Sequence, residues 1–158
     1  MALAQELAAL FERDLTRLLQ QFRAFTDEDP IWQCPNGMTN SPGNLALHLE
    51  GNLREYIGRL LGRIPYVRMR DQEFGTKGIH RTEIVRRLEE VRLLVPEIVA
   101  GLSDEHLDAR FPEDVLGVPL PIRQFLIHLN GHLNYHLGQI DSMRRILTSG
   151  TAVEYARL

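Results

Sequence analysis

Cysteine is almost absent from this chain, and so is any long apolar run. The single Cys34 cannot close an internal disulfide, and no stretch approaches the roughly 18 consecutive apolar residues that a membrane-crossing helix needs. Basic charge is not in excess either. With a formal net charge of −3 there is no electrostatic reason to expect nucleic acid as a partner. The local pairs Arg86-Arg87 and Arg144-Arg145 lie in helical patterns beside acidic residues and read as solvated helix faces. The opening Met1-Ala-Leu-Ala-Gln-Glu6 lacks the basic start and apolar stretch of a signal peptide, so a cytoplasmic setting with no membrane partner is expected. Internal repeats and low-complexity segments are missing as well. What is present is 158 residues, 44% of them hydrophobic and 25% charged, which suits one globular domain over 1–158 with a core that needs no covalent staple.

Hydrophobic spacing divides the chain into four long helical segments. From Leu3 to Phe25 the residues Leu7, Phe11, Leu15, Leu18 and Phe22 recur every three or four positions, the mark of an amphipathic helix. A loop follows to Asn40, with Trp32 expected as an anchor into the core and Cys34 as a buried, unreactive thiol. Ser41-Pro42 is a strong start signal, a side-chain cap followed by a residue whose missing N–H costs nothing in a first turn. The second helix is predicted to run to about Leu61, with Leu45, Leu49, Leu53, Tyr56 and Leu60 as its apolar stripe. His48 and Asn52 fall on the same side. Gly62 to His80 reads as a long crossover rich in charge. The third helix is expected over about Thr82 to Val99, with Pro96 kinking or weakening it. Ser103-Asp-Glu-His106 resembles a capped short turn, and the fourth helix spans about Pro121 to Leu147. A tail, loosely held, is expected over the last eight residues.

The fourth helix contains His128, His132 and His136, three of the six histidines within nine residues. At about 100° per residue, the stripe defined by Ile122, Phe125, Leu129, Leu133, Ile140, Met143 and Leu147 places His136 about 20°, His132 about 60° and His128 about 100° from its centre. His132 and His136 therefore face the core, and His128 lies at its edge. Together with His48 they would make a three-imidazole site between facing helices, where bundles usually hold metals. A histidine on an apolar face can equally be a hydrogen-bonded core residue, and spacing leaves both readings open. His80 and His106 occupy loop or cap positions and read as surface residues.

These residues carry a resemblance. His48 within Asn44-Leu-Ala-Leu-His48-Leu-Glu-Gly-Asn52, together with His132-Leu-Asn-Tyr-His136-Leu-Gly-Gln139, resembles the DinB-like superfamily of small helical metalloproteins, and Arg70-Asp-Gln-Glu-Phe74 is similar to one branch of it. The resemblance covers essentially the whole chain. It implies an all-α, up-down-down-up four-helix bundle with a long crossover between helices two and three. It also implies a divalent metal on His48, His132 and His136, and frequently a homodimer; imidazole suits zinc, nickel, copper and iron alike, and zinc or nickel is the expected ion. Some bacterial members are thiol-dependent transferases, so the partners implied are a small-molecule thiol and an electrophile.

Three neutral imidazoles leave a metal's charge uncompensated and so favour an anionic fourth ligand. A thiol bound there would ionise and attack an electrophile at neutral pH. A bound water would instead make a hydrolase. Zinc hydrolases of that kind pair the metal with a carboxylate base, as in HExxH, and the chain has no such motif; Glu50 points elsewhere on its helix. That favours thiol transfer. A metal-stabilised interaction protein without catalysis is the third reading. Asn52, Tyr135, Gln139 and His128 are candidates for orienting a ligand imidazole or a substrate.

Overall fold

The computed structural model of the chain describes residues 2–154. Among these residues all regular structure is helical, apart from one isolated bridge between Arg110 and Pro121. Six α-helices form: α1 (Leu3–Arg23), α2 (Pro42–Leu53), α3 (Arg70–Gly75), α4 (Arg81–Ala100), α5 (Asp104–Asp108) and α6 (Ile122–Thr148). A 3₁₀ turn over Asp29–Trp32 precedes α2. A π-helical segment, Arg54–Arg59, carries α2 onward without a break. The short α3 lies inside the predicted crossover, and no periodicity there announced it.

The long helices form where apolar spacing places them. Leu7, Phe11, Leu15, Leu18 and Phe22 of α1 are all buried, as are Ile84, Leu88, Val91, Val95 and Val99 of α4. Pro96 sits within α4 and does not end it. α1 packs against α4 and α6, and α2 packs against the same two helices. The buried apolar side chains of all four join in one cluster. Polar pairs mark the register of each contact. Gln5 at the start of α1 donates to the Ala100 carbonyl at 3.4 Å, while Arg81 at the start of α4 reaches the carbonyls of Arg23 and Phe25. Asp14 accepts from Asn130 and Asn134 of α6, and Gln21 pairs with Asp141 and Arg144 farther along.

α2 is unlike the others. Its start is as predicted, with the Ser41 hydroxyl accepting the Asn44 N–H at 3.2 Å and Pro42 in the first turn. Yet every residue of α2 is buried, so the expected one-sided stripe describes only half of its contacts. The crossover covers the other half. Asn44 donates its side-chain amide to the carbonyls of Glu73 and Thr76 at 3.0 and 2.8 Å, tying α3 down on α2. Two glycines make the approach possible. A β-carbon on Gly43 would stand 2.8 Å from the Trp32 ring, and one on Gly51 would collide with the Glu73 carboxylate. Trp32 is partly buried against the core as expected. Cys34, by contrast, is exposed, because it follows the 3₁₀ turn on the solvent side. Of the predicted tail, Thr151 accepts a hydrogen bond from Arg144 at 2.8 Å, and residues 155–158 lie outside the described residues.

Candidate metal centre

α2 and α6 meet at three imidazoles. His48 is buried and His132 and His136 are half-buried; one ligand atom from each lies within 4.8 Å of the other two. The Nε2 atoms converge, with His132 Nε2 3.2 Å from that of His48 and 3.1 Å from that of His136. Stacking at i and i+4 on α6 supplies one contact, and the inward face of α2 the other.

The hydrogen bonds behind the rings fix what those nitrogens can do. His48 Nδ1 lies 2.9 Å from Glu73 Oε2. An ionised carboxylate only accepts, so the ring carries its proton on Nδ1 and turns a bare Nε2 lone pair inward. His136 Nδ1 donates to Gln139 Oε1 at 2.7 Å, with the same result. His132 has one proton and can direct it at only one of its two neighbours. The remaining nitrogens then confront one another lone pair to lone pair, an arrangement that a cation relieves. Donor type, convergence and backing acceptors all fit a divalent metal held by imidazoles. His132 Nδ1 is buried and lacks a partner, so this ring alone has no orienting bond.

Burial favours the neutral form of the two rings on α6. Burial, then the neighbouring His136 and His48, push His132 down to about 4. Burial also lowers His136, against the opposing Gln139 bond. Glu73 is buried, which acts to raise its pKa. Hydrogen bonds from His48 and Arg68 outweigh that and hold the carboxyl below its usual range. Arg68 grips both carboxylate oxygens, at 2.6 and 2.9 Å. Burial would lower Arg68, but its bonds to Glu73 raise it instead.

The candidates from sequence divide cleanly. His48, His132 and His136 come together. Gln139 orients His136 through its Oε1 and donates its side-chain N–H to the Tyr135 hydroxyl at 3.4 Å, while Tyr135 itself is 65% exposed. His128 is exposed and stacks beside His132 with ring centroids 6.5 Å apart, outside the converging set. Asn52 is buried one turn beyond His48, and its Oδ1 has no partner. His80 and His106 cap α4 and α5 at the surface. Sequence reasoning missed Glu73 and Arg68. A ligand histidine needs an acceptor behind Nδ1, and a search for that acceptor would have pointed to the crossover's carboxylates. Glu50, the carboxylate that was considered, is held by Arg54 and Arg87.

A cleft of about 360 Å³ opens beside the rings, with His48 and His132 in its wall together with Asn52, Arg68, Arg70 and His128. Among the described residues no Asp or Glu lines it.

Residues 10–140 match the family model of the DinB superfamily. The chain is also similar to a DinB-like protein from Bacillus cereus ATCC 10987, whose crystal structure superposes with a TM-score of 0.67 at 20% identity over 90% of each chain. At that identity the likeness speaks for the fold. No curated protein matches. Among the described residues no helix is long and apolar enough to cross a membrane.

Proposed function

This chain belongs to the DinB superfamily, and from that membership and its converging imidazoles we propose that it holds a divalent metal ion on His48, His132 and His136 and transfers a low-molecular-weight thiol to an electrophile. The observation that carries the reading is the set of inward Nε2 atoms, two of them deprotonated by bonds to Glu73 and Gln139. Zinc or nickel is the expected ion, since imidazole suits both. We read the four long helices as an up-down-down-up bundle, in keeping with the register of their polar pairs.

When bound, the ion supplies a Lewis acid that lowers the pKa of a thiol sharing its site. The chain's own residues do the rest. Glu73 and Gln139 fix ring orientation, and burial keeps His132 neutral at physiological pH. Arg70, which unlike Arg68 has no carboxylate partner among the described residues, makes the cleft wall cationic, which favours an anionic ligand. Transfer forms one sulfur–carbon bond and breaks the bond to the leaving group, which departs with that electron pair. The thiol proton passes to solvent.

One observation favours hydrolysis as the second reading. His128 stands exposed in the cleft wall and could receive a proton from an attacking water. The two readings separate in one experiment. Metal-loaded protein is incubated with a chlorodinitrobenzene and a panel of thiols, and separately with activated esters and no thiol. Thioether formation that a chelator abolishes supports transfer, and thiol-independent ester cleavage supports hydrolysis. Silence in both assays, with metal bound, would leave a non-catalytic role.

A further inference from the structure

The cleft beside the rings holds a cation that the fold does not use. Among the described residues every arginine except Arg63 and Arg70 has a carboxylate within ion-pair distance. Arg63 lines a separate cavity with Glu97 and His106. Arg70 lines the cleft of His48 and His132, its guanidinium 5.9 Å from the Phe74 ring centroid. This contact positions the group without neutralising it. Arg68, next to it in the wall, is already bound to Glu73 through both oxygens and is not available in the same way.

A second observation points to a ligand in the same place. Asn52 is 8% exposed, and its Oδ1 is buried without any partner. A buried acceptor left unmade costs about 1–3 kcal/mol. Its position one turn from His48 aims it at the cleft. A bound molecule carrying an N–H or O–H would remove that cost. The wall also carries apolar side chains, with Val115 and Leu116 36% and 46% exposed.

We propose that the thiol taken by this cleft carries its own acid group, with the sulfur directed at the histidines and the carboxylate held by Arg70. The proposal rests on the metal reading above and adds the class of thiol. A planar guanidinium receives a carboxylate through two parallel N–H bonds, which a neutral thiol cannot offer.

The test uses the full chain loaded with cobalt(II) in place of the native ion. The visible d–d bands report a three-imidazole site, and a sulfur-to-cobalt charge-transfer band reports thiolate binding. Mercaptopropionate and ethanethiol are titrated in parallel. The expected result is about tenfold tighter binding of mercaptopropionate. Arg70→Gln should bring the two probes to within twofold with the d–d bands unchanged, and Arg70→Lys should restore part of the preference. Equal affinities in the native chain would overturn the proposal, as would a preference that survives Arg70→Gln. Absence of the d–d bands would instead refute the metal reading, and this proposal with it.

Discussion

Replacing Glu73 by Gln tests whether the carboxylate behind His48 belongs to a metal site or merely to the core. Gln keeps the shape and can still accept from His48 Nδ1. It removes the charge, and its amide N–H₂ must then face either Arg68 or the ring where Glu73 offered two acceptors, at 2.6 to 2.9 Å. Loss of such a partner behind a ligand histidine costs about 10- to 100-fold in metal affinity, or about 1.4–2.7 kcal/mol. Suppose metal is supplied at about 1,000 times the native Kd. Binding then stabilises the native protein by about 4.1 kcal/mol and the variant by only about 1.4–2.7 kcal/mol. For a chain of this size the difference is about 3–11 °C in the metal-induced rise of Tm. The metal-free variant is also destabilised, because Arg68 loses its buried counter-charge, and breaking such a pair costs up to about 3–5 kcal/mol. Measuring each protein with metal and with chelator separates the two effects. The assay is a thermal melt followed by circular dichroism, with calorimetric titration of zinc for the affinity itself. A variant whose metal-induced shift equals that of the native chain would refute the orienting role. The bond to His48 would then be core satisfaction alone.

Four further outcomes can be measured. Metal content after purification should fall to near zero in the His132→Ala/His136→Ala variant and stay at the native level in His128→Ala, as elemental analysis would read. A histidine that protonates near 6.5 when unfolded and near 4 when folded leaves the unfolded chain with more bound protons between those values. Stability of the metal-free protein should therefore fall as pH drops from about 6.5 to about 4, seen as a falling urea midpoint, and His132→Leu should flatten that slope. Glu73 and Asp14, whose pKa values are lowered, add a loss only below their unfolded values of 4.5 and 3.8. Gly51→Ala should cost about 1–3 kcal/mol and weaken metal binding although it touches no ligand, because the new methyl meets the Glu73 carboxylate. Gly131→Ala, whose methyl would enter open space on α6, should stabilise by about 0.5–1 kcal/mol in the same melts.

The long helices and the meeting of His48 with His132 and His136 were legible because both rest on one periodic signal. Apolar residues three and four apart say which face turns inward, and a polar residue on that face must find something there. The crossover was not legible for the converse reason. Tyr66 to Thr76 has no period, and what fixes it is a set of single contacts with α2, namely Glu73 to His48 and Asn44 to two carbonyls. Such contacts depend on how two distant segments pack, which spacing within either segment does not encode. For the same reason α2 read as half-exposed while it is wholly enclosed. Cys34 erred in the other direction: a free cysteine is most often a small buried apolar residue, but the chain turns extended at Gln33 after the 3₁₀ turn and leaves Cys34 exposed.

The π-helical turn at Arg54–Arg59 has a consequence for how this bundle can change over time. A π turn accommodates one residue more than the α-helix would need to cover the same contacts. Ile57, within the wide turn, is fully buried, and the helix ends directly after that turn, with Gly62 fitted against Ile98. Upstream, His48 and Asn52 keep their own alignment with α6. The extra residue thus sets the angle at which the rod ends. The α-helical part that carries His48 and the wide turn that closes the rod can each keep its own apolar register. Insertions and deletions, usually confined to loops, have here a place in the last turns of a helix where one residue more or less resets an angle and leaves the ligands where they are.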